Sequence, residues 1–216
     1  MFNKIFYINL AHRTDRNNNI IQQLKQLNLL HIVERIDAVN GKNLDINTIC
    51  CRLITHKGKY DVFYGKSNGL LLTKGAIGCA LSHYKIYQKI VSENIPAALI
   101  LEDDININNN FYNILQSYNQ YIPKDYDILY VGYHDGCIKY FTPTNNQFYT
   151  KSSLVWGTFG YIVTRCGAEK LLKIFPINHQ IDSEISINFN KINAYVVLPN
   201  NRLVTSTSFD SDIQHK

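Results

Sequence analysis

Ala98-Leu99-Ile100-Leu101-Glu102-Asp103-Asp104 is an apolar strand that runs directly into three adjacent carboxylates. In an open α/β sheet, ligands bind at the edge where the carboxyl ends of the strands lie. Neighbouring acids repel one another unless a cation or hydrogen-bond donors offset their charge. A divalent cation that joins these oxygens to a diphosphate would offset it, and carboxylate oxygens suit such a cation. The alternative is an acidic loop in which Asp104 caps the next helix.

The composition is typical of one folded domain. The chain has 216 residues, 45% hydrophobic and 18% charged, which is enough to bury one substantial core. The formal net charge is +5, and the basic residues are scattered, so a nucleic-acid groove is not expected. The five cysteines contain no CxxC pair. This pattern predicts free thiols rather than a disulfide framework or a zinc motif.

Strand-like and helix-like segments alternate along the chain, which predicts an α/β sheet in a single domain over residues 1–216. Strands are predicted at residues 4–10, 31–36, 98–101, 127–131, 153–164 and 194–198, and helices at 14–28, 44–54, 74–93, 111–121 and 166–175. Residues 56–72 contain several glycines and no clear period, so they are predicted to form a mobile loop that closes as a lid. Residues 207–216 are expected to be a flexible tail.

The apolar runs are too short to enter a membrane. The first run, Ile5–Leu10, is shorter than a signal sequence or a membrane span requires, and no later window is long enough. The last four residues are not an ER-retention signal. A soluble protein of the cytoplasm is expected, and of the host cytoplasm if the chain is viral.

Four short blocks, in one order along the chain, resemble glycosyltransferase family 25. This family includes bacterial lipooligosaccharide galactosyltransferases and collagen hydroxylysine galactosyltransferases. The blocks are Tyr7-Ile8-Asn9-Leu10 with Arg13 and Asp15-Arg16; Gly75-Ala76-Ile77-Gly78-Cys79-Ala80-Leu81-Ser82-His83; Leu99–Asp104; and Trp156-Gly157-Thr158 through Gly167–Leu172 to Ile181-Asp182. The chain departs from the family at His12, which replaces a basic residue, and after Asp182, where collagen-modifying members place an acid and then an aromatic.

The resemblance implies a GT-A-type fold, which is a Rossmann-like mixed sheet flanked by helices. It also implies a UDP-sugar donor, Mn²⁺ (or Mg²⁺) as cofactor, and inversion at the anomeric carbon. In this family the acidic run acts as the Asp-x-Asp motif. Asp104 is therefore predicted as the direct metal ligand, Glu102 as a second or water-mediated ligand, and Asp103 as a contact to the ribose hydroxyls. The cation would stabilise the charge that grows on the leaving diphosphate.

Residues that follow the first two strands are predicted to bind the nucleotide. Asn9, Arg13 and Arg16 follow the first strand, and the arginine fork suits phosphate. The alternative for each arginine is a solvated helix start. By resemblance alone, backbone groups hold the uracil at Asp37, Ala38 and Val39.

Three residues of the long central helix recur every four positions and so share one face: Lys74, Gly78 and Ser82. Gly78 would permit close approach, Lys74 would neutralise phosphate, and Ser82 would donate a hydrogen bond. His83 lies off that face and is expected to be structural.

Asp182 is the candidate general base, because inverting sugar transfer needs a carboxylate to accept the proton of the acceptor hydroxyl. Glu184 could replace it if this segment is extended. The alternative for both is an exposed acidic loop. Trp156 and Tyr161 are expected in the core rather than in a sugar pocket.

The sequence thus favours a metal-dependent, inverting transferase that moves a hexose, galactose or glucose, from a UDP-sugar. The acceptor would be a glycan or a collagen-like hydroxylysine. One alternative is a UDP-sugar-binding module that has lost its chemistry. A second is a sugar nucleotidyltransferase, although the Gly-rich loop typical of that class near the N-terminus is missing. The oligomeric state stays open.

Overall fold

A seven-stranded mixed sheet forms the centre of the molecule. The computed structural model describes residues 1–65 and 72–207. In chain order the elements are β1 (Lys4–Asn9), α1 (Thr14–Gln26), β2 (Val33–Asp37), α2 (His56–Tyr64), α3 (Lys74–Ser92), β3 (Ala97–Glu102), β4 (Ile105–Ile107), α4 (Phe111–Tyr121), β5 (Ile128–Gly132), β6 (Tyr149–Thr150), β7 (Gly160–Thr164), α5 (Arg165–Leu172), α6 (Ile181–Ile187), β8 (Ala194–Val197) and β9 (Val204–Ser206). The strand order is β2-β1-β3-β7-β5-β8-β6, and β4 pairs with β9 separately.

The parallel half of the sheet brings three carboxyl ends together. Strands β2, β1 and β3 run parallel, with Asn9 opposite Asp37 and Ile8 opposite Glu102. Strand β7 is antiparallel to both β3 and β5. The predicted mixed α/β sheet flanked by helices is therefore confirmed, and the acidic run lies at the predicted edge.

The core is built on β3 and α3. Ala98, Leu99, Ile100 and Leu101 are fully buried, as the continuous apolar run predicted. Helix α3 begins at its cap residue Thr73, whose hydroxyl accepts a hydrogen bond from an amide of the first turn, and packs against α5.

Two predicted elements differ from the structure. Residues 44–54, predicted as a helix, form turns instead. The strand predicted at 153–164 begins only at Gly160, because Gly157 has a φ of +93° that interrupts extended backbone. The short strands β4, β6 and β9 and helix α6 had too few residues to show a period.

Most of the segment predicted as a mobile loop is helical. Helix α2 begins after Thr55, whose hydroxyl accepts a hydrogen bond from the Gly58 amide. A Cβ on Gly58 would meet the Ile177 carbonyl at 3.1 Å, so close packing from a distant segment supports this helix. Residues 66–71 lie outside the described residues, and closure of 56–72 as a lid stays a prediction.

The predicted flexible tail is described only at its first residue. Thr207 donates through its amide and hydroxyl to the Asp104 carbonyl, at 2.8 and 2.9 Å. Residues 208–216 lie outside the described residues. Within residues 1–65 and 72–207, no helix combines the length and the apolar character that crossing a membrane would require.

Two glycines let the loop after β2 lie directly on α3. A Cβ on Gly78 would lie 2.3 Å from the Val39 carbonyl oxygen, and a Cβ on Gly41 would lie 2.1 Å from the Lys74 carbonyl oxygen. The Ser82 hydroxyl accepts from the Val39 amide at 2.8 Å and donates to the Gly78 carbonyl at 2.7 Å. Gly78 thus permits the predicted close approach, but the partner is this chain's own backbone.

Gly78→Ala is expected to lower the free energy of unfolding, measured by urea denaturation. Alanine is preferred to glycine in a helix by about 1 kcal/mol. We expect the clash with the Val39 carbonyl to outweigh that gain. Overpacking costs about 1–3 kcal/mol, and here the added methyl group would meet backbone, which cannot turn away as a side chain can. We expect a net loss of up to about 2 kcal/mol. Gly136→Ala is the control, since its Cβ would meet only the Trp156 ring, at 3.3 Å. Stabilisation by Gly78→Ala would contradict the close contact.

Candidate active site

A cavity of about 560 Å³ opens at the carboxyl edge of β1, β2 and β3. Its volume is within the usual range for small-molecule sites, about 300–1,000 Å³. Eight predicted site residues line it: Arg16, Ala38, Val39, Lys74, Ser82, Glu102, Asp103 and Asp104. The other six lie outside its wall: Asn9, Arg13, Asp37, Gly78, Asp182 and Glu184. Helix α2 adds Val62 and Phe63, so the predicted lid segment borders the cavity.

Asp103 is held by two residues that follow β1. Asn9 Nδ2 donates to Asp103 Oδ2 at 2.6 Å, and Arg16 Nη1 donates to Oδ1 at 3.3 Å. Burial raises the pKa of Asp103, and Asn9 and Arg16 offset that rise only in part. Both carboxylate oxygens therefore accept hydrogen bonds within the protein. This favours a role in positioning Asn9 and Arg16 over the predicted contact with the ribose. Asn9 also accepts from Arg35 Nε at 3.0 Å.

Two residues, Thr158 and His83, contact the Glu102 carboxylate. Thr158 Oγ1 donates to Oε1 at 2.9 Å, and His83 Nε2 lies 3.4 Å from the same oxygen. Burial alone would raise the pKa of Glu102, but the contacts with His83 and Thr158, together with the nearby His134, outweigh burial and lower the pKa. His83, which was expected to be structural, therefore contacts a predicted metal ligand.

Asp104 carries the least compensated charge of the acidic run. Arg16 Nη1 lies 3.3 Å from its Oδ2, and this contact is shared with Asp103. Burial, followed by the nearby charge of Glu102, raises the pKa of Asp104 to about 7. A cation at this point would stabilise the ionised carboxylate.

Basic side chains also line the cavity. Lys42 and Lys74 stand in its wall with Arg16 and His12. Lys74 Nζ donates to the Leu44 carbonyl at 3.0 Å, so it is positioned by the loop opposite. The cavity therefore presents both carboxylates and cations, a combination that suits a diphosphate accompanied by a metal ion.

Two residues that were predicted to contact the nucleotide form ion pairs with other residues of the chain. Arg13 forms an ion pair with Asp15 at 2.9 Å, and Asp37 forms one with Arg35 at 2.8 Å. The Asp37 side chain is 76% exposed. Neither residue reaches the cavity in this arrangement.

Gly157 and Thr158 connect Asp182 to the acidic run. The Gly157 amide donates to Asp182 Oδ2 at 3.0 Å, while the next residue, Thr158, donates to Glu102. Oδ1 of Asp182 accepts from the Ser183 amide at 2.6 Å. Asp182 is therefore held one residue away from the Glu102 contact, and it is partly exposed outside the cavity lining.

Glu184 belongs to a different set of contacts. Its Oε2 accepts from the amides of Asn178 and His179, each at 3.0 Å, and lies 3.1 Å from His179 Nδ1. The segment is helical rather than extended, and residues two apart on a helix do not share a face. Glu184 was predicted to replace Asp182 only if this segment is extended, and the segment is not extended. Glu184 instead accepts hydrogen bonds from the backbone of the loop before α6.

Comparison with known proteins identifies the family to which this chain belongs. The family model described as glycosyltransferase family 25 (LPS biosynthesis protein) matches residues 2–185. The chain belongs to glycosyltransferase family 25. The resemblance seen in the four sequence blocks is therefore confirmed.

Relatives within glycosyltransferase family 25 include both active and inactive proteins by name. Procollagen galactosyltransferase 1 of Danio rerio is 28% identical over 198 residues, and procollagen galactosyltransferase 1-B of Xenopus laevis is 30% identical over 199 residues. Inactive glycosyltransferase 25 family member 3 of Homo sapiens is 27% identical over 196 residues. Each match covers 88% of this chain, and the chain spans about a third of the relatives' length, 32%, 31% and 32% respectively.

A solved glycosyltransferase involved in glycosylation of the major capsid of PBCV-1 is similar to this chain, with a TM-score of 0.48 and 10% identity. The match covers 97% of this chain and 94% of that one.

Sequence reasoning missed several residues at the site of this family 25 chain. They are Cys79, Thr158 and Lys42. Cys79 and Thr158 lie inside the blocks that carry the resemblance, so a closer reading of those blocks was the available signal. Lys42 follows the Asn-Gly turn and had no such signal.

Asp104→Asn is expected to stabilise the metal-free protein at alkaline pH. The folded pKa of about 7 lies above the usual 3.8, so the stability that Asp104 contributes is present below pH 4 and is lost as the pH rises through 7. Asparagine keeps the shape and removes the charge. In EDTA at pH 8 we expect a gain of about 1–3 kcal/mol in the free energy of unfolding, and little difference at pH 4.

Asp125→Asn serves as the control, because Asp125 is exposed and precedes β5 at the opposite edge of the sheet. A loss of stability at pH 8 from Asp104→Asn would show that the Asp104 carboxylate is adequately compensated.

Proposed function

We propose that this chain transfers a hexose from a UDP-sugar to a hydroxyl acceptor. One observation carries the proposal: a single cavity joins the acidic run of β3 to the basic residues Arg16, Lys42 and Lys74. Membership of glycosyltransferase family 25 supports glycosyl transfer, and the cavity suits a charged donor.

The donor's diphosphate would bind among the basic side chains. Arg16 is held in place by two carboxylates, and Lys74 by the Leu44 carbonyl, so their positive charges are preorganised. Ala38 and Val39 would form the wall beside the base. Their amides already donate to Asn9 and Ser82, so these residues offer surface rather than N–H donors.

Glu102 and Asp104 would hold a divalent cation, Mn²⁺ or Mg²⁺. Their carboxylate oxygens are hard ligands, and a cation would stabilise the ionised form of Asp104, whose pKa burial and the Glu102 charge raise. Such an ion stabilises negative charge on a leaving diphosphate. Asp103 would take no direct part, because Asn9 and Arg16 occupy its oxygens.

Asp182 would act as general base and accept the proton of the acceptor hydroxyl. Two backbone amides orient its carboxylate, one of them from Gly157 beside Thr158. A base on the far side of the sugar from the diphosphate gives inversion at the anomeric carbon. The names of the relatives support galactose as the sugar and a collagen-like acceptor, in which the hydroxyl would be that of a hydroxylysine. The description of the family model as an LPS biosynthesis protein supports a glycan as the other acceptor.

A binding module without turnover is the second candidate function. Relatives named as inactive match this chain as well as some of the galactosyltransferases do. Family membership argues against the sugar nucleotidyltransferase.

UDP release from a panel of UDP-sugars tests the proposal. With Mn²⁺ we expect release that favours one sugar, and loss of release with EDTA. Asp104→Asn should lower the rate about 100-fold or more, because it removes charge that holds the cation. Asp125→Asn is the matched control and should keep the wild-type rate. Tight binding of UDP with no release or transfer to any acceptor supplied would favour the binding module.

The assignment of the base is tested with Asp182→Asn and Glu184→Gln. Asp182→Asn should lower kcat by about 10²- to 10⁴-fold while the Kd for UDP changes little. Glu184→Gln should instead lower the free energy of unfolding by about 1–3 kcal/mol, because it weakens the hydrogen bonds from Asn178 and His179. A folded Glu184→Gln protein whose kcat falls more than that of Asp182→Asn would reverse the two roles.

A further inference from the structure

A cluster of three potential metal ligands lies beside the proposed transfer site: Cys79, His83 and Glu102. The proposed transfer reaction assigns a role to Glu102 and none to Cys79 or His83. One potential ligand atom from each residue lies within 4.8 Å of the other two. Cys79 and His83 are one turn apart on α3, so they share a face, and Glu102 ends the neighbouring strand β3. Among residues 1–65 and 72–207, this is the one group of three or more such side chains that is close enough to hold a metal ion.

The His83 ring is oriented as a metal ligand would be. Nδ1 lies 2.8 Å from the Tyr161 hydroxyl, which lies 2.8 Å from the Tyr87 hydroxyl. Nε2 points the other way, toward Glu102. Ligating histidines usually have their second nitrogen fixed by such a hydrogen bond. His83 is fully buried, so the ring has little freedom to turn away.

The cluster is open to the cavity and lies in a negative field. Cys79, His83 and Glu102 all line the cavity, so an ion could enter and keep one position for water. The charges of Asp104 and Asp182 act on Cys79 in addition to that of Glu102. A cation would therefore be attracted to this point.

We propose that Cys79, His83 and Glu102 bind a thiophilic divalent cation such as Zn²⁺. Thiolate, imidazole and carboxylate are the ligands that Zn²⁺ takes, and three protein ligands with an open fourth position are typical of its non-structural sites. Binding releases to solvent the Cys79 thiol proton and the proton that His83 Nε2 shares with Glu102, because both ligand atoms must be unprotonated. The all-oxygen pair of Glu102 and Asp104 suits a different, harder ion.

The two cations would compete, because both use Glu102. Zn²⁺ at Cys79 and His83 would take the carboxylate away from Asp104 and so inhibit a reaction supported by Mn²⁺. The binding itself requires no sugar transfer, so its test stands apart from that of the proposed function.

Co²⁺ is the first probe, because a thiolate bound to it gives a charge-transfer absorption. The exposed thiols are first removed from the full chain by replacing Cys50, Cys51 and Cys166 with serine. We expect this protein to bind one Co²⁺ with the thiolate absorption, and Zn²⁺ to displace it. Adding Cys79→Ser should abolish the absorption and weaken binding about tenfold or more. Absence of the absorption before that change, or its survival afterwards, would overturn the proposal.

A pair of tyrosine variants separates ligand positioning from general damage to the core. Tyr161→Phe removes the partner of His83 Nδ1 and should weaken Co²⁺ binding about 10- to 100-fold. Tyr130→Phe is the matched control, since the buried Tyr130 hydroxyl has no hydrogen-bond partner among the described residues. Equal losses from the two variants would contradict the assigned role of His83.

Alkylation of the unaltered chain needs no substitution and covers the case in which Cys79→Ser fails to fold. Zn²⁺ should slow the labelling of Cys79 about tenfold or more relative to Cys166, and Mg²⁺ should not. Equal labelling of Cys79 with and without Zn²⁺ would overturn the proposal.

Discussion

The buried ion pair between Arg16 and Asp103 is the constraint on which the acidic edge depends. Arg16 is 4% exposed and Asp103 is 6% exposed, and Asn9 completes the set. An isolated charge buried to this extent would cost several kcal/mol. Because Asp103 is held from β1 and α1, the residue that follows it, Asp104, can face the cavity with its charge less fully balanced.

The three adjacent acids thus have three different surroundings. Asp103 is tied to arginine and asparagine, Glu102 accepts from Thr158 and lies beside His83, and Asp104 shares Arg16 with Asp103. The burial that all three share acts with different partners, so one pKa is lowered and two are raised. Three carboxylates that are adjacent in the sequence therefore differ in their hydrogen-bond partners and in the direction of their pKa shifts.

Local patterns predicted the elements, but not their distant partners. The apolar run before Glu102 predicted both the strand and the edge at which the acids lie. The four-residue spacing of Gly78 and Ser82 correctly predicted a shared helix face, yet their partner is the loop at Val39, which no local period reveals. Helix α2 was missed because a distant segment at Ile177 supports it. Cys79 and His83 lie on α3 and form a cluster only with Glu102 of β3, so they matched no sequence motif.

The contact of Thr207 with Asp104 can form only late in the synthesis of the chain. Thr207 lies 103 residues after Asp104, yet its amide and hydroxyl both hold the Asp104 carbonyl, next to the pairing of β4 with β9. A chain emerging from the ribosome can form β1, β2 and β3 long before this brace exists. The backbone of Asp104 therefore gains this support only after residues up to 207 have been synthesised, later than the three strands that carry the acidic run to the sheet edge.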